Sequence, residues 1–439
     1  MLQTIEDTAA PKKGNGIHYA FAICLGVFLT QMIVLSCQRI PSIALESIRE
    51  TLGVGYAEVG LITSVFMIFY AGLSIVWGML GDKIGTRKAI TLACALAALG
   101  AISFGILAPM GLYVAIATWA IAGVGTAGLL MAILPKIVSR WFAPNKRGFG
   151  MSLITPGANF SAMILGIVAP MIIAATGWQA TYIIFGVLFA AIAVFVAIVF
   201  REGPEEKGLA PYGAPAGTQA APEPIVEKAA EQEGSLSKLG RVLKMPIAWH
   251  FGLFYIVYQI AYMAATQYYV SSIQSVGFEL GQAALAITIG GVLTICVELI
   301  LGQLSDRMER KNIIGAVVLI GAVLGFGYWF YLTHTTAPSL YVCYFFVSLI
   351  SASTGVITVI MTGAGEYFDD DVRATGTGFV GTVNLVGRYL GPWIAGMIID
   401  ATGVVGNSFG IVGVCFLIAA LIAFSFPRVS KVRPHAQQG

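Results

Sequence analysis

The chain has 439 residues, of which 57% are apolar and only 11% charged, with a mean hydropathy of +0.84. A soluble domain carries roughly 25% charged residues, since charge is what its surface presents to water, so this composition excludes a soluble enzyme, a nucleic-acid-binding module and a disordered scaffold. The net charge of +3 is too small to call for a polyanionic partner, and an integral membrane protein is the reading that remains.

Residues 1–16 are polar and are expected to form a cytoplasmic tail. The apolar run behind them is too long for the core of a cleavable signal peptide, so none is expected. A membrane-crossing helix takes about 20 mostly apolar residues. Such runs follow at 17–45, 57–79, 88–108, 112–135, 149–173 and 179–200, numbered here as spans 1 to 6. Residues 201–246 interrupt them with Glu202, Glu205, Glu206, Pro211, Pro215, Pro222 and Pro224. That make-up predicts a poorly ordered cytoplasmic linker. Spans 7 to 12 are expected at 247–270, 281–303, 312–332, 338–362, 374–398 and 405–427, before a short cytoplasmic tail, 428–439. The expected fold is all-α and integral to the membrane, with twelve transmembrane helices in two six-helix halves, 17–200 and 247–427. The six cysteines lie inside apolar runs without ligand-spaced partners, so neither a disulfide nor a metal site is expected.

Orientation follows from the cations, which favour the inner side of a membrane. With the N-terminus inside, every Lys and Arg except Arg39, Arg49 and Arg388 falls on that side. Both termini are therefore expected in the cytoplasm, and the chain in a plasma membrane, the inner membrane if the organism is a bacterium.

Two segments recur. Gly78-Met-Leu-Gly-Asp82-Lys-Ile-Gly85-Thr-Arg87-Lys88 returns as Gly302-Gln-Leu-Ser-Asp306-Arg-Met-Glu309-Arg310-Lys311, displaced by 224 residues. The stretch from Arg147-Gly148 to Gly177 returns from Arg373-Ala374 to Gly403, displaced by 226. Parallel six-helix repeats are the mark of one transporter architecture. The loop between spans 2 and 3 resembles the G-x-L-(A/G)-D-(R/K)-x-G-x-R-(K/R) signature of the major facilitator superfamily, and the loop between spans 8 and 9 resembles a degenerate copy, with Glu309 where the family usually has Gly. Trp141-Phe142 to Arg147-Gly148 is similar to a W-F-P-x-x-x-R-G segment of organic-anion and monocarboxylate-type members. Glu366 to Gly378 resembles the E-x-F-x-x-x-x-R-x-x-G-x-G of metabolite symporters. The resemblance covers nearly the whole chain outside tails and linker, and it implies transport by alternating access. It also implies a gating role for Gly78, Asp82, Gly85, Arg87, Asp306 and Arg310, with the Asp82 contacts latching the halves together on the inner side.

Ionisable groups at membrane depth are costly, and each is a functional candidate. Arg388 lies about 14 residues into span 11, too deep for its head group to reach water. Asn384 precedes it by one turn on the same face, and Gly381, Gly387 and Gly391 are expected to keep nearby backbone accessible. A guanidinium at that depth offers a bidentate contact to an anion. Arg39 follows Gln38 late in span 1, where anion transporters that the chain resembles often hold a cation. Glu298 is the only acid well inside a span. It stands near a place in span 8 where the resembled monocarboxylate and oxalate transporters often have arginine, so their site is not simply copied. Burial raises a carboxylate's affinity for protons, which makes Glu298 the candidate proton carrier, with His250 at the inner end of span 7 as a second. A direct Glu298–Arg388 pair is not expected, because the two differ in depth by roughly 10–15 Å at the helical rise.

Span 7 adds Tyr255, Tyr258, Gln259, Tyr262, Gln267, Tyr268 and Tyr269, whose spacing places Tyr255, Tyr258, Tyr262 and Tyr269 on one polar-aromatic face. Tyr268 and Tyr269 also suit an aromatic belt at the outer interface. Span 5 contributes Thr155 and Asn159. The expected substrate-binding set is thus Arg388, Asn384, Arg39, Gln38, Tyr258, Tyr262, Gln259 and Asn159. The leading reading is a secondary transporter of a small organic anion, a carboxylate, in symport with protons. A proton-antiporting exporter of drugs or cations is the alternative. No catalytic residue, cofactor, metal or nucleic-acid partner is expected, and the unit is expected to be a monomer in the lipid bilayer.

Overall fold

The computed structural model describes residues 18–154, 156–214, 235–305 and 307–427. Among them the chain is helical almost throughout, without a β-strand; an isolated bridge pairs Phe142 with Tyr212. An apolar run has no water in lipid for its backbone groups, so it closes its hydrogen bonds within itself as a helix. Eight helices among the described residues are long and apolar enough to cross a membrane. Spans 1, 3, 7, 8, 9 and 12 are single helices: Tyr19–Ile43, Thr86–Leu107, Pro246–Gln274, Leu280–Ser305, Arg310–His334 and Asn407–Phe424. A short helix, Leu45–Leu52, follows span 1 and turns by 113° into span 2.

The other spans are broken or joined. Span 2 breaks at Leu73, between Tyr56–Gly72 and Ser74–Ile84. Span 4 passes from Leu112–Thr126 through a π-helical turn, Leu129–Ile133, into Leu134–Trp141. Span 10 tightens to a 3₁₀ turn at Thr354–Val356, between Leu340–Ser353 and Ile357–Glu366. Span 11 breaks at Asn384, between Arg373–Val383 and Leu385–Thr402. There the side-chain Nδ2 donates to the Gly381 carbonyl at 2.7 Å, an acceptor the helix ladder would otherwise use. Spans 5 and 6 run on as Gly157–Val199 behind the short helix Arg147–Ile154, and divide at Gly177, whose φ of 84° suits glycine alone. All twelve spans are present.

Small residues set the packing within each half. Gly100 of span 3 lies against the Ala122 backbone of span 4, and Gly325 of span 9 against Gly413 of span 12. Lipid is as apolar as leucine, so helices hold together by such close approach rather than by escape from water.

The ends of the 201–246 segment are structured, where the sequence led us to expect little order. The Tyr212 N–H donates to the Trp141 carbonyl at 2.9 Å, and the Ala143 N–H to the Tyr212 carbonyl at 3.0 Å. The Tyr212 ring packs on Phe21 and Phe142. Ser235–Leu243 is helical, and its Arg241 guanidinium sits 2.7 Å from an Asp371 oxygen, holding that carboxyl below the usual carboxylate range. Residues 215–234 and both tails lie outside the described residues.

The halves are tied together at the end of the bundle away from residues 18, 200, 246 and 427. Asp400, at the far end of span 11, accepts from the Tyr56 and Ala57 N–H groups, both at 2.8 Å, and so caps the start of span 2. The Tyr268 hydroxyl donates toward the carbonyls of Pro392 at 2.9 Å and Tyr56 at 3.2 Å, bringing span 7 into the same contact. Spans 5 and 8 meet where Thr288 donates to the Met163 carbonyl at 3.0 Å.

Candidate functional site

A small pocket lies between the halves beside this contact. Arg39 and Ser42 of span 1 line it, with Ala162 of span 5, Tyr262, Thr266 and Tyr269 of span 7, Gly291 and Thr294 of span 8, and Ser351 and Thr354 of span 10. No carboxylate is among its described lining residues. Ligand sites in such folds sit at membrane mid-depth between the repeats, beside interrupted helices, and the 3₁₀ turn of span 10 supplies Thr354 here.

Arg39 is half-buried, and its guanidinium has no acid partner among the described residues. The Nε2 of neighbouring Gln38 is buried and unpartnered. Arg388 is also half-buried without an acid partner; its guanidinium stands 6.0 Å from the Tyr70 ring of span 2, and its Nε is buried without a hydrogen bond. It is not among the residues that line the Arg39 pocket. Span 7 brings Tyr262 and Tyr269 to the same pocket as Arg39.

The structure brings Asn384 and Gln259 together, the Gln259 Nε2 donating to the Asn384 Oδ1 at 3.2 Å with both residues buried. Gly387 and Gly391, expected to leave backbone accessible, instead face the Ile256 and Ile260 carbonyls, where they let spans 7 and 11 touch. Tyr262 reaches the pocket. Tyr258 does not: it is 1% exposed, enclosed by Phe254, Tyr255, Tyr262 and Phe416. Tyr268 and Tyr269 are buried as well, so neither belongs to an interfacial belt. Thr155 and the Asn159 side chain lie outside the described residues.

Glu298 is half-buried, one turn from Thr294, with its Cγ beside Gly355 in the span 10 turn. His250 sits at the end of the bundle nearest the chain termini, its Nε2 2.8 Å from the Ser425 Oγ and its ring edge-on to Phe426.

Gly78 lies within Ser74–Ile84, and Asp82 pairs with Lys136 of its own half. Gly85 turns with a φ of 90° into span 3, so close to Glu202 that a Cβ would strike the carboxylate. That carboxylate accepts from the Thr86 N–H at 2.9 Å, the Thr86 hydroxyl at 2.6 Å and the Arg87 N–H at 2.8 Å, with Arg140 3.4 Å away. A carboxylate on exposed helix N–H groups satisfies them and complements the helix dipole. Arg87 itself donates to the Ala197 carbonyl. In the other half Arg310 pairs with Glu366. Asp306 lies outside the described residues. Sequence reasoning missed Glu202 and Asp400. Both stand at span ends among other polar residues, and what signals them is the helix start each one meets in space.

Among the described residues no group of three or more His, Cys, Asp or Glu is placed to hold a metal. A sequence profile of the Major Facilitator Superfamily matches residues 27–363. The chain is 22% identical over 431 residues to the probable sulfoacetate transporter of Cupriavidus necator, covering 94% of this chain and 96% of that one. It is 23% identical over 422 residues to the hexuronate transporter of Bacillus subtilis, covering 92% and 94%. Its fold matches the crystal structure of a bacterial homolog of the human lysosomal transporter Spinster, inward-facing and unoccupied, with a TM-score of 0.75 at 16% identity over 95% of this chain and 98% of that one.

Proposed function

The chain belongs to the major facilitator superfamily of membrane transporters, and from that premise we propose that it carries a small organic anion across a bacterial inner membrane by alternating access, in symport with protons. The observation that carries this reading is a pair of membrane-embedded guanidiniums, Arg39 and Arg388, with no acid partner among the described residues. A buried charge left unpaired is strongly destabilising, and an anionic substrate supplies the missing counter-charge. A carboxylate or sulfonate fits the planar fork of a guanidinium with two parallel hydrogen bonds. The relatives named for sulfoacetate and hexuronate, both organic anions, support the same class. A cation exporter needs an acid at its site, and the described lining of the Arg39 pocket has none. Glu298 carries the coupled proton in this scheme, close to the pocket wall at Thr294, while His250 stands in second place. The cation distribution puts both termini in the cytoplasm.

Uptake of organic acids into proteoliposomes tests the reading. Arg39→Ala and Arg388→Ala should each lower uptake at limiting substrate by about tenfold or more, the usual loss for one charge-assisted contact, with the protein still eluting as a single folded species. Wild-type uptake by both variants would overturn it.

A further inference from the structure

The hydroxyl groups of the Arg39 pocket divide into two kinds. Thr266, Thr294 and Thr354 each donate their hydroxyl hydrogen back to their own helix, to the carbonyls of Tyr262 at 3.0 Å, Gly290 at 2.8 Å and Ser351 at 2.5 Å. A hydroxyl has one hydrogen and two lone pairs. With the hydrogen committed, each of these pocket-lining residues keeps only acceptor capacity at its oxygen, that of Thr294 shared with the Ser351 hydroxyl 3.4 Å away. The donors are elsewhere. Arg39 has five N–H groups and no acid partner among the described residues, and the Tyr269 hydroxyl is buried, lines the pocket and has no partner. Tyr262 lines it too, with no hydrogen bond from its hydroxyl among the described residues. One pocket therefore offers a cationic donor set and a separate set of acceptors.

An unsubstituted acid satisfies only the first set. Its hydrocarbon part would cover these oxygens and leave their remaining lone pairs, which water otherwise fills, without a donor. A ligand that carries its own O–H groups beside the acid satisfies both. Resting on the anion-transport reading above, we propose that the pocket selects hydroxylated organic acids over their unsubstituted counterparts. The acid group binds Arg39 with the Tyr262 and Tyr269 hydroxyls, and the ligand hydroxyls donate to the oxygens of Thr266, Thr294 and Thr354.

Binding of matched acid pairs to the purified full-length protein tests this. Lactate is compared with propionate, and gluconate with hexanoate, by calorimetry, with sorbitol as the uncharged polyol. The hydroxylated member of each pair should bind about tenfold tighter, the difference expected when a site built for hydrogen bonds meets a ligand lacking them. Thr294→Val and Thr266→Val keep the shape and remove the acceptor, so each should lower that preference, and Thr294→Ser, which restores the oxygen, should return it. Equal binding within both pairs, or a preference indifferent to both valine substitutions, would overturn the inference while leaving an anion transporter. Failure of all four acids to bind would overturn the anion reading, and the inference with it, as would sorbitol binding as tightly as gluconate.

Discussion

An arginine inside a spanning helix needs a counter-charge, and neither Arg39 nor Arg388 finds one among the described side chains of the protein. Glu298 poses the converse problem, since an ionised carboxylate in lipid is costly and a protonated one much less so. If it carries the coupled proton, Glu298→Gln mimics the protonated form permanently. The variant should exchange substrate across the membrane at near wild-type rates in counterflow. It should lose accumulation driven by an imposed pH gradient, because it has no proton to release. Equal gradient-driven accumulation by variant and wild type would remove Glu298 from the mechanism and turn attention to His250. All three charges were legible in the sequence because a charge within an apolar run is rare. Tyr258 and Tyr262 were not separable there. They sit one turn apart, and only the packing of Phe416 against Tyr258 decides which of them reaches the pocket.

The paired ends of spans 2 and 11 form the clearest inter-half contact, and Asp400 is its polar centre. An acidic group on a helix N-terminus contributes about 1 kcal/mol. Asp400→Asn should therefore weaken the state closed at this end by about that amount, a shift of roughly fivefold in population. Spin labels at Gly53 and Val404, in a cysteine-depleted background, should report a larger share of long distances in the variant. An unchanged distance distribution would mean that the close approach of Gly60 to the Pro392 carbonyl and of Gly396 to the Tyr56 carbonyl closes this end without help from the carboxylate. Hydropathy found the twelve spans because length and composition decide whether a segment can sit in lipid. It did not find the breaks at Leu73, Thr354 or Asn384; at the last two the interruption goes with side chains that compete for helix carbonyls, Thr354 for that of Ser351 and Asn384 for that of Gly381. The structured ends of the linker were hidden for a related reason: Glu202 and Tyr212 look like ordinary loop residues until the helix start and the aromatic rings they meet are known.

Across the whole molecule, the halves contact each other through spans 2 and 11, 5 and 8, and the pocket between them, whereas the chain joins them once. A single cut between Ala214 and Ser235 should leave both halves in one complex in mild detergent, with ligand binding nearly unchanged; separation on a sizing column would show that the covalent link is needed. The repeat was legible at the level of halves, since both displaced segments carry it, but the two copies anchor their helices differently. Residues 86 and 310 correspond in the repeat, and the displacement of 226, carried back from Arg147 and Arg373, pairs 140 with 366. One half uses Thr86 and Arg140, bridged by Glu202; the other pairs Arg310 directly with Glu366. The corresponding seats at 140 and 366 thus carry opposite charge. This bears on how twelve similar helices sort themselves during synthesis. Were span 4 to lodge in the place of span 10, Arg140 would face Arg310, and the reverse error would set Glu366 against Glu202. Each misplacement brings like charges together, so the diverged copies make an exchange of these two helices less favourable than the observed arrangement.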